Sequence, residues 1–423
     1  MQLLRVLILL SVLFLTSNLT AQSDPELRAI QFKGLTKTKL SFLEGIIQSR
    51  IGQTTSKVQI ETDVQNLRNV SGIGNVTYDL DTLSNGLDLV FHVEEIQTLL
   101  PIVNFGTVTD NFWFQLGFVD INWEGKGQTF SVYYQNNDQR HSGQFYYRVP
   151  NFNNKSWGYT VSLSRWASRE PLFFTEETVL YDYDNNSITL TGLRQFGLQH
   201  SIEFGGTFFI EKYQKSENQD LQFSPGPASL TQNKFLTKLE YQSRKLDYHF
   251  FYLNGRSWRL TLQNVYNTDD KSLFNSLQFQ GKQFLRIGNN MNLAFRLRLA
   301  IATNNDSPFA PFVVDSQVNL RGVGNRIDRG TAQAVINIEL RQTIFHVDKW
   351  AAQAVVFTDI GSWRNPGGQL EDILDVNEIR EFVGGGVRII YKKVYGAVLR
   401  IDYGMDVFNK DQRGWVLGLG QYF

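Results

Sequence analysis

The sequence has 423 residues, enough for more than one domain, and its 41 basic residues balance its 41 acidic ones. Without a net charge, it has no field that would recruit nucleic acid or an anionic surface. Cysteine is absent, which excludes disulfides, thiolate metal sites, a cysteine nucleophile and an acylated N-terminal cysteine.

Residues 1–21 have the pattern of a secretory signal peptide. Arg5 supplies the positive charge, and residues 6–15 form an apolar run that only Ser11 interrupts. This run is too short to cross a bilayer as a helix. We therefore predict export, with cleavage near Ala21.

Residues 22–97 are predicted to form a small mixed domain. Apolar and polar residues alternate around Ile30 and Phe32, and two stretches with helical spacing follow. Two further alternating segments flank Asn85-Gly86, a strong hairpin signal. The predicted order is β-α-α-β-β, which other small α+β domains share.

From residue 98 to residue 423 the apolar period changes to two. In the clearest segment Leu293, Phe295 and Leu297 face one way, and Arg296 faces the other. Such alternation suits strands with lipid outside and water inside, whereas a dry core would make the polar face costly. We predict a mainly β fold, a transmembrane antiparallel β-barrel of about 16 strands.

A soluble β-sandwich or propeller is the alternative to this barrel. The signal peptide, the aromatic fraction of 13% and the arginines on the polar face favour the membrane barrel. No apolar run after the signal peptide reaches the ~18–20 residues of a transmembrane helix. Long polar stretches predict external loops at residues 211–233, 304–329 and 363–379.

The last predicted strand, residues 414–423, has apolar residues at alternate positions and stops on an aromatic residue. Chain ends in water are seldom apolar, whereas the closing strand of a membrane barrel must leave no open edge in lipid. The run therefore predicts the outer membrane of a Gram-negative bacterium. Gln421 interrupts the apolar face and predicts a looser seam or a position at the water boundary. The residues that carry the terminal signal are Trp415, Leu417, Leu419 and Phe423.

Three fragments near the end of the chain add a family resemblance. They are Asn-Leu-Arg-Gly-Val-Gly at 319–324, Val-Phe-Thr-Asp-Ile-Gly at 356–361 and Leu-Arg-Ile-Asp-Tyr-Gly at 399–404. Each is weak alone, but their order, their spacing and their position near the C-terminus make the set specific. Together they resemble the BamA/TamA-type outer-membrane assembly and translocation superfamily, and residues 22–97 resemble one of its POTRA domains.

In that family a loop with an Arg-Gly motif tucks into the barrel. The resemblance therefore implies that Arg321 lies at the tip of such a loop and that Gly322 allows its tight backbone path. It also implies that Phe357, Asp359 and Gly361 form the docking site for this arginine in the lumen. A bidentate contact between guanidinium and carboxylate would hold the loop there.

Two features of the motif region are open. Val323 departs from the aromatic residue that is usual after Arg-Gly in the family. Four charged residues are predicted as additional lumen charges, with an ordinary solvated lining as the alternative; they are Glu339, Arg341, Arg400 and Asp402.

The resemblance implies an insertase or translocation pore of the outer membrane. Unfolded outer-membrane or secreted proteins would enter through the POTRA-like domain in the periplasm. They would leave by a lateral gate between the first strand, near Leu99–Val108, and the last, residues 414–423. Outer-membrane lipid is the second expected partner, nucleic acid is not one, and accessory proteins are left open.

A passive pore or structural barrel is the alternative function. The five histidines have no metal-ligand spacing and no Gly-x-Ser-x-Gly elbow occurs, so we predict no enzyme, no metal site and no cofactor. The family's core assembly machine carries several POTRA domains, whereas this chain has room for one. A specialised insertase or exporter with few clients is therefore the prediction.

Overall fold

A computed structural model of the protein describes most of the chain after residue 25. The predicted signal peptide, residues 1–21, lies outside the described residues. No helix in the described part is both long and apolar enough to cross a membrane. The described ranges are 26–83, 86–108, 111–137, 139–151, 156–174, 177–216, 225–249, 252–316, 318–324, 329–375 and 378–423.

The first unit is a three-stranded sheet with two helices. Strand β1 (Leu27–Lys33) pairs in parallel with β3 (Gly86–Glu95), and β2 (Ile73–Leu83) pairs with the other side of β3 in antiparallel fashion. Helices α1 (Leu40–Glu44) and α2 (Lys57–Arg68) lie between β1 and β2 in the chain. The elements therefore follow one another as β-α-α-β-β, and we refer to this unit as the small domain.

Helix α2 shows why the chain folds this way locally. It begins after Ser56, whose side chain accepts a hydrogen bond from the backbone N–H of Gln59 and satisfies a donor that the helix leaves free. Its apolar residues Ile60, Val64 and Leu67 fall on one face and are buried in the domain core. The small domain thus has an apolar core of its own.

The rest of the chain forms one antiparallel sheet of 16 strands, which confirms the predicted strand number. In chain order the elements are β4 (Leu99–Val108), β5 (Asn111–Trp123), β6 (Gln128–Asn137), β7 (Arg140–Val149), β8 (Trp157–Phe173), β9 (Thr178–Phe196), β10 (His200–Lys215), β11 (Ser229–His249), β12 (Tyr252–Asn267), β13 (Leu273–Ile287), β14 (Met291–Ala302), the paired two-residue strands β15 (Phe312–Val313) and β16 (Arg329–Gly330), β17 (Ala332–Val347), β18 (Trp350–Arg364), β19 (Arg380–Tyr391), β20 (Val398–Asp406) and β21 (Arg413–Leu419).

The sheet has the alternation expected of a membrane barrel. Leu163, Ile188 and Phe204 face outward and are 48%, 52% and 61% exposed. The polar residues between them point into the lumen, where water or other polar groups can satisfy them. Short turns follow at the end that carries the small domain, which we name the domain end, and longer connections lie at the opposite loop end.

The predicted external loops differ from the structure in their bounds. Both ends of the stretch 211–233 are strand, because β10 continues to Lys215 and β11 begins at Ser229. Strands β8–β11 have 16 to 21 residues, more than the ~9–11 that a tilted membrane strand needs. Their extra length extends past the apolar belt at the loop end. Within 363–379, Leu370–Leu374 is a short 3-10 helix.

The last strand also ends earlier than predicted. Strand β21 stops at Leu419, so Phe423 is not part of the wall, although Trp415, Leu417 and Leu419 are exposed on its outer face as expected. Gly420 has φ +84°, a left-handed conformation that breaks the strand and turns the chain inward. In the sheet order, β21 is at one edge and β4 at the other, and no ladder joins them within the described residues.

The small domain contacts three turns at the domain end. The Lys39 N–H donates to Gly125 O in the β5–β6 turn at 2.9 Å. The Asn69 amide donates to Leu246 O near the β11–β12 turn at 2.7 Å, and the Gln97 N–H donates to Lys393 O in the β19–β20 turn at 2.9 Å. These turns follow the second, eighth and fourteenth barrel strands, so the domain spans the mouth of the barrel.

Glu95 organises the loop that makes the first of these contacts. It accepts hydrogen bonds from the backbone N–H groups of Thr36, Lys37 and Thr38 at 3.1, 2.8 and 2.8 Å and from the Thr36 hydroxyl. Burial opposes ionisation of this carboxyl, but the hydrogen bonds outweigh burial and lower its pKa to about 2. The charged form therefore stabilises the docked loop.

We expect this contribution to disappear in acid. The folded pKa lies below the ~4.3 of a free glutamate, so the stabilisation is complete above that pH and is lost as the pH falls towards 2. The melting temperature of the full chain in detergent should drop more steeply between pH 4.5 and pH 2 in the parent than in Glu95→Gln. Glu61→Gln, which alters an exposed glutamate, should follow the parent. Parallel curves for parent and Glu95→Gln would contradict this prediction.

Candidate functional site

The long connection between β14 and β17 folds into the barrel. Leu320 and Val323 pack in an apolar cluster with Val335, Trp363 and Phe382 from the wall. Val323 thus fills, with a smaller side chain, the position where the family resemblance predicts an aromatic one. We name this connection, residues 303–331, the lumen loop. Its apolar residues carry Arg321 into the interior.

Arg321 binds Asp359 of β18 through three donors. Its backbone N–H and Nε donate to Oδ2 of Asp359 at 3.0 and 2.8 Å, and its Nη2 donates to Oδ1 at 2.9 Å. Its Nη1 donates to Glu339 of β17 and lies 3.7 Å from an oxygen of Asp402 in β20. One loop residue therefore joins two strands of the wall through charge-assisted hydrogen bonds and a third through an ion pair.

Aromatic rings complete the environment of this guanidinium. The Arg321 Cζ lies 3.5 Å from the ring centre of Phe357 and 4.2 Å from that of Tyr422. Both distances are well within the range of a cation–π contact. Phe357 is a predicted site residue, whereas Tyr422 is not. Since Arg321 and Asp359 have no exposed surface, the site is dry and the contacts are unscreened.

The four predicted supporting charges are buried as well. Arg341 Nε donates to Glu339 at 2.5 Å, and Arg400 Nε lies 3.6 Å from Asp402. All four are at most 5% exposed, so the alternative of an ordinary solvated lining does not describe them. They belong to one network with Arg321.

Arg388 is a member of this network that the sequence reasoning missed. Its Nη1 donates to Asp402 at 2.6 Å and its Nη2 donates to Glu339 at 3.1 Å, so it bridges the two carboxylates. The signal was available, since Arg388 stands between Val387 and Ile389 on the polar face of β19. A single arginine on the polar face of a strand does not by itself distinguish a network member from ordinary lining.

The network has more buried cations than anions. Isolated buried charges cost several kcal/mol each, so a surplus requires other acceptors. Arg296 shows how this is met, because it donates to the Asn337 amide oxygen at 2.9 Å and to Val318 O in the loop. Such a network favours one loop position over others rather than adding much stability. Its charged members are Arg296, Arg321, Arg341, Arg388 and Arg400 against Glu339, Asp359 and Asp402.

Glycines allow the loop to lie flat against the wall. A Cβ on Gly404 of β20 would be 2.0 Å from Arg321 O, and one on Gly322 would be 2.5 Å from Gly404 O. Gly322 also has φ +101°, which favours glycine. Gly361 lies under Leu320 and the Trp363 ring, where a Cβ would be 2.6 Å from the indole. Gly322 and Gly361, the glycines predicted at this site, therefore allow the loop and the wall to pack closely.

Replacing Gly404 by alanine should push the loop away from β20. The new methyl group would overlap a backbone carbonyl that its own bonds hold in place, and overpacking of this kind costs about 1–3 kcal/mol. We expect a lower melting temperature for the folded barrel and faster protease cleavage within the loop. Gly192→Ala on β9 is the matched control, because the nearest atom to its added Cβ would be 3.8 Å away. Equal behaviour of the two variants would mean that the loop does not need this close approach.

The lumen loop is also fixed on the opposite side of the barrel. Pro308 O accepts a hydrogen bond from the Phe173 N–H at 2.9 Å. Lys234, which is paired with Glu211 at 2.5 Å, lies 4.5 Å from the ring centre of Phe309. The loop thus crosses the lumen from β8–β11 to β17–β20 and obstructs the path through the barrel.

The arrangement suits structural docking rather than bond chemistry. Each carboxylate at the site is engaged by arginine, so none is left as an acid or base with a free partner. Across the described part of the chain, no group of three or more His, Asp or Glu side chains is placed to hold a metal ion.

Comparisons with known proteins identify the family and the fold. Residues 122–423 match the Omp85 superfamily domain. BamA from Haemophilus ducreyi lacking POTRA domains 1–3 is similar over 93% of this chain and 83% of that chain, with a TM-score of 0.55 at 14% identity. CdiB from Acinetobacter baumannii is similar over 94% and 73%, with a TM-score of 0.58 at 14% identity.

A second CdiB, from Escherichia coli, is similar over 93% of this chain and 75% of that chain, with a TM-score of 0.58 at 11% identity. At these identities the likeness is one of fold. No curated protein sequence matches this chain significantly.

Proposed function

This chain belongs to the Omp85 superfamily, and from that membership we propose that it is an outer-membrane insertase or translocation pore for protein clients. The observation that carries the proposal is the seam of the barrel. Its 16-stranded sheet begins with β4 and ends with β21, and the described residues form no ladder between these two strands. An unpaired strand edge is a template on which another chain can add a strand.

Strand β4 has the properties of such an edge. Among the described residues, its one ladder partner is β5, which it pairs with along its whole length. It also contains Pro101, and proline is confined to edge positions because it has no N–H to give to a second ladder. The partner edge, β21, has seven residues against ten in β4. Client strands would add at the part of β4 that β21 leaves uncovered.

We further propose that residues 22–97 are a POTRA domain in the periplasm. This places the domain end of the barrel towards the periplasm and the loop end outside. The outer edge of β2 has no ladder partner within the described residues, and β1 is covered only at its first residue, by backbone bonds between Leu27 and Gly52–Gln53. Strand β2, the longer of the two edges, is the one that we propose receives an extended client segment.

In this proposal the Arg321 site holds the lumen loop so that the wall keeps its shape beside the seam. Arg321, with Gly322, is the loop residue, and Phe357, Asp359 and Gly361 form its dock. Since Asp402 lies in β20, which pairs with β21, the network reaches the strand next to the seam. Glu339, Arg341, Arg388 and Arg400 keep that dock in place.

A passive pore is the second candidate function. The lumen loop and the buried aromatic residues occupy the interior, which argues against a wide open channel. In a planar bilayer we expect small and irregular conductance. A large, steady conductance would favour the passive pore.

Reconstitution tests the proposed activity. Liposomes that contain the purified protein should raise the yield of folded, heat-modifiable barrel when a urea-unfolded outer-membrane protein is diluted onto them. Liposomes with an equal amount of a passive porin are the control. Equal yields from both would contradict the insertase proposal.

A further inference from the structure

Residues 420–423 leave the barrel wall and enter the lumen. Gly420 makes the last ladder bond, from its N–H to Val398 O at 2.8 Å, and then turns the chain through its positive φ. The Gln421 amide donates to Gln353 at 3.2 Å and accepts from Arg388 at 3.3 Å. Gln421 is therefore a lumen residue, which explains the polar residue in the apolar pattern. We name residues 420–423 the inner segment.

Tyr422 in the inner segment holds the lumen loop from the side opposite the wall. Its ring and that of Phe357 enclose the Arg321 guanidinium. Its hydroxyl donates to Ser316 O of the loop at 3.2 Å, and the residue is 6% exposed. These two contacts join Tyr422 to the loop, and its ring also lies 5.1 and 4.9 Å from the Cζ atoms of Arg296 and Arg400 in the wall.

Phe423 closes the lumen below this cage. It packs with Phe284, Leu246 and Ala294 in an apolar cluster, and its carbonyl oxygen accepts a hydrogen bond from Arg341 at 3.2 Å. Beneath the cluster is a cavity of about 390 Å³ between the small domain and the barrel. We name it the vestibule. Its lining includes Ile73 and Ile96 from the small-domain side and Lys282, Phe284 and Phe423 from the barrel side.

We propose that the inner segment is a displaceable latch: it cages Arg321 and closes the lumen, and an extended polypeptide with an aromatic residue releases it by taking the place of Phe423. The vestibule leads to Phe423 from the domain end, and the site already accommodates an extended aromatic segment of this chain. Only the identity of the occupant as a client rests on the proposed function. The coupling between inner segment and loop is a property of the folded barrel.

The coupling has a thermodynamic consequence that two sites can report. If Tyr422 stabilises the docked loop, then docked Arg321 must stabilise the inner segment by the same factor. A cation–π contact shielded from water is strong enough to change the open fraction of the loop by roughly tenfold. Because Tyr422 contacts Arg321 and Ser316, we expect a change in the inner segment to open the loop and a change in the loop to open the inner segment.

Thiol labelling measures both ends, because the chain has no cysteine of its own. Val323→Cys reports on the loop, since Val323 is buried when the loop is docked. In the full chain in detergent, adding Tyr422→Ala should raise the labelling rate at this cysteine by roughly tenfold, and Tyr422→Phe should raise it less. Trp415→Ala, which removes a ring from the outer face, should leave the rate unchanged. A rate in Tyr422→Ala within about twofold of the parent would overturn the latch.

Two further variants separate the coupling from a general folding defect: one changes the loop and reports on the inner segment, and the other changes the hinge at Gly420. Gln421→Cys should label faster when Arg321→Gln is added. Gly420→Ala keeps every latch contact and strains only the hinge, because nothing lies within 4 Å of the added Cβ. It should also speed labelling at Val323→Cys, whereas Gly288→Ala, with φ +59° and equal space, should not. If only one end of the pair responds, the two are not coupled.

A peptide tests the occupant. The sequence of residues 415–423 (Trp-Val-Leu-Gly-Leu-Gly-Gln-Tyr-Phe), added to Val323→Cys with its latch intact, should speed labelling. The same peptide with alanine at the last two positions should not. Equal effects would overturn aromatic displacement. Neither assay requires insertion of a client, so a loss of insertase activity with normal coupling would contradict the proposed function alone.

Discussion

Replacing Asp359 by alanine is expected to undock the lumen loop and to destabilise the barrel by roughly 3–5 kcal/mol. The change removes a bidentate partner and a backbone acceptor together, and it leaves the Arg321 guanidinium buried with an incomplete set of acceptors. Uncompensated charge in a dry site is among the largest single-residue effects in folded proteins. Thermal unfolding followed by heat-modifiability on a gel measures the loss.

The choice of control follows from the contacts of each lumen arginine. Arg298 is unsuitable, because its Nη1 donates to Asn319 of the loop at 2.5 Å. Arg259 on β12 pairs with Glu240 at 3.2 Å, and its side chain is 44% exposed. It makes no hydrogen bond or ion pair with the part of the loop that the structure describes. Arg259→Ala should therefore cost less than about 1 kcal/mol. If Asp359→Ala and Arg259→Ala have the same melting behaviour, docking at Asp359 does not determine the position of the loop.

Closing the seam covalently is expected to abolish function. Cysteine pairs along residues 99–103 of β4 and along β21, joined by a short bifunctional thiol reagent, would remove the free edge on which a client strand adds. We expect complementation of a deletion strain to fail after cross-linking with a cleavable reagent and to return after cleavage. The absence of native cysteine means that only the introduced pair reacts.

The control cross-link joins strands that are already paired. Ile401 of β20 and Leu417 of β21 face each other in the ladder, so linking them adds no new closure. Cells that carry this linked pair should grow like the parent. Full complementation by protein that is locked across the seam would show that the seam is not the exit.

The barrel could be predicted because its cause is local. Lipid on one side and water on the other impose a period of two on every strand, and the period is visible in segments such as Met291–Ala302. The ends of the strands are harder to predict. At the loop end β10 and β11 continue beyond the apolar belt, and there the sequence no longer alternates between apolar and polar residues. The end of β21 depends on one backbone angle at Gly420, which composition does not reveal.

The site could be predicted only through a resemblance. Arg321 and Asp359 are 38 residues apart, and no periodicity brings a loop residue to a strand carboxylate, so the family motifs supplied that pairing. Tyr422 is not among the predicted site residues, because the sequence predicts a wall strand over 414–423, whereas the strand stops at Leu419. An aromatic lumen residue after a glycine was the available signal.

Charge explains why the motif needs so many partners. Burying Arg321 without a carboxylate partner would be too costly. Asp359 as its one partner would still leave more cations than anions in the network. Rings and carbonyl oxygens supply further contacts, and one of those rings comes from the inner segment beside the seam. The contacts therefore connect the loop, the wall and the strand beside the seam.

The outer-membrane proteome of cells with and without this protein tests the central claim most directly. We expect depletion to lower a small set of outer-membrane or secreted proteins, and we expect wild-type protein, but not Asp359→Ala, to restore them. Their transcripts should not change, which separates insertion from expression. An outer-membrane proteome that is identical with and without the protein would contradict its role as an insertase or translocation pore.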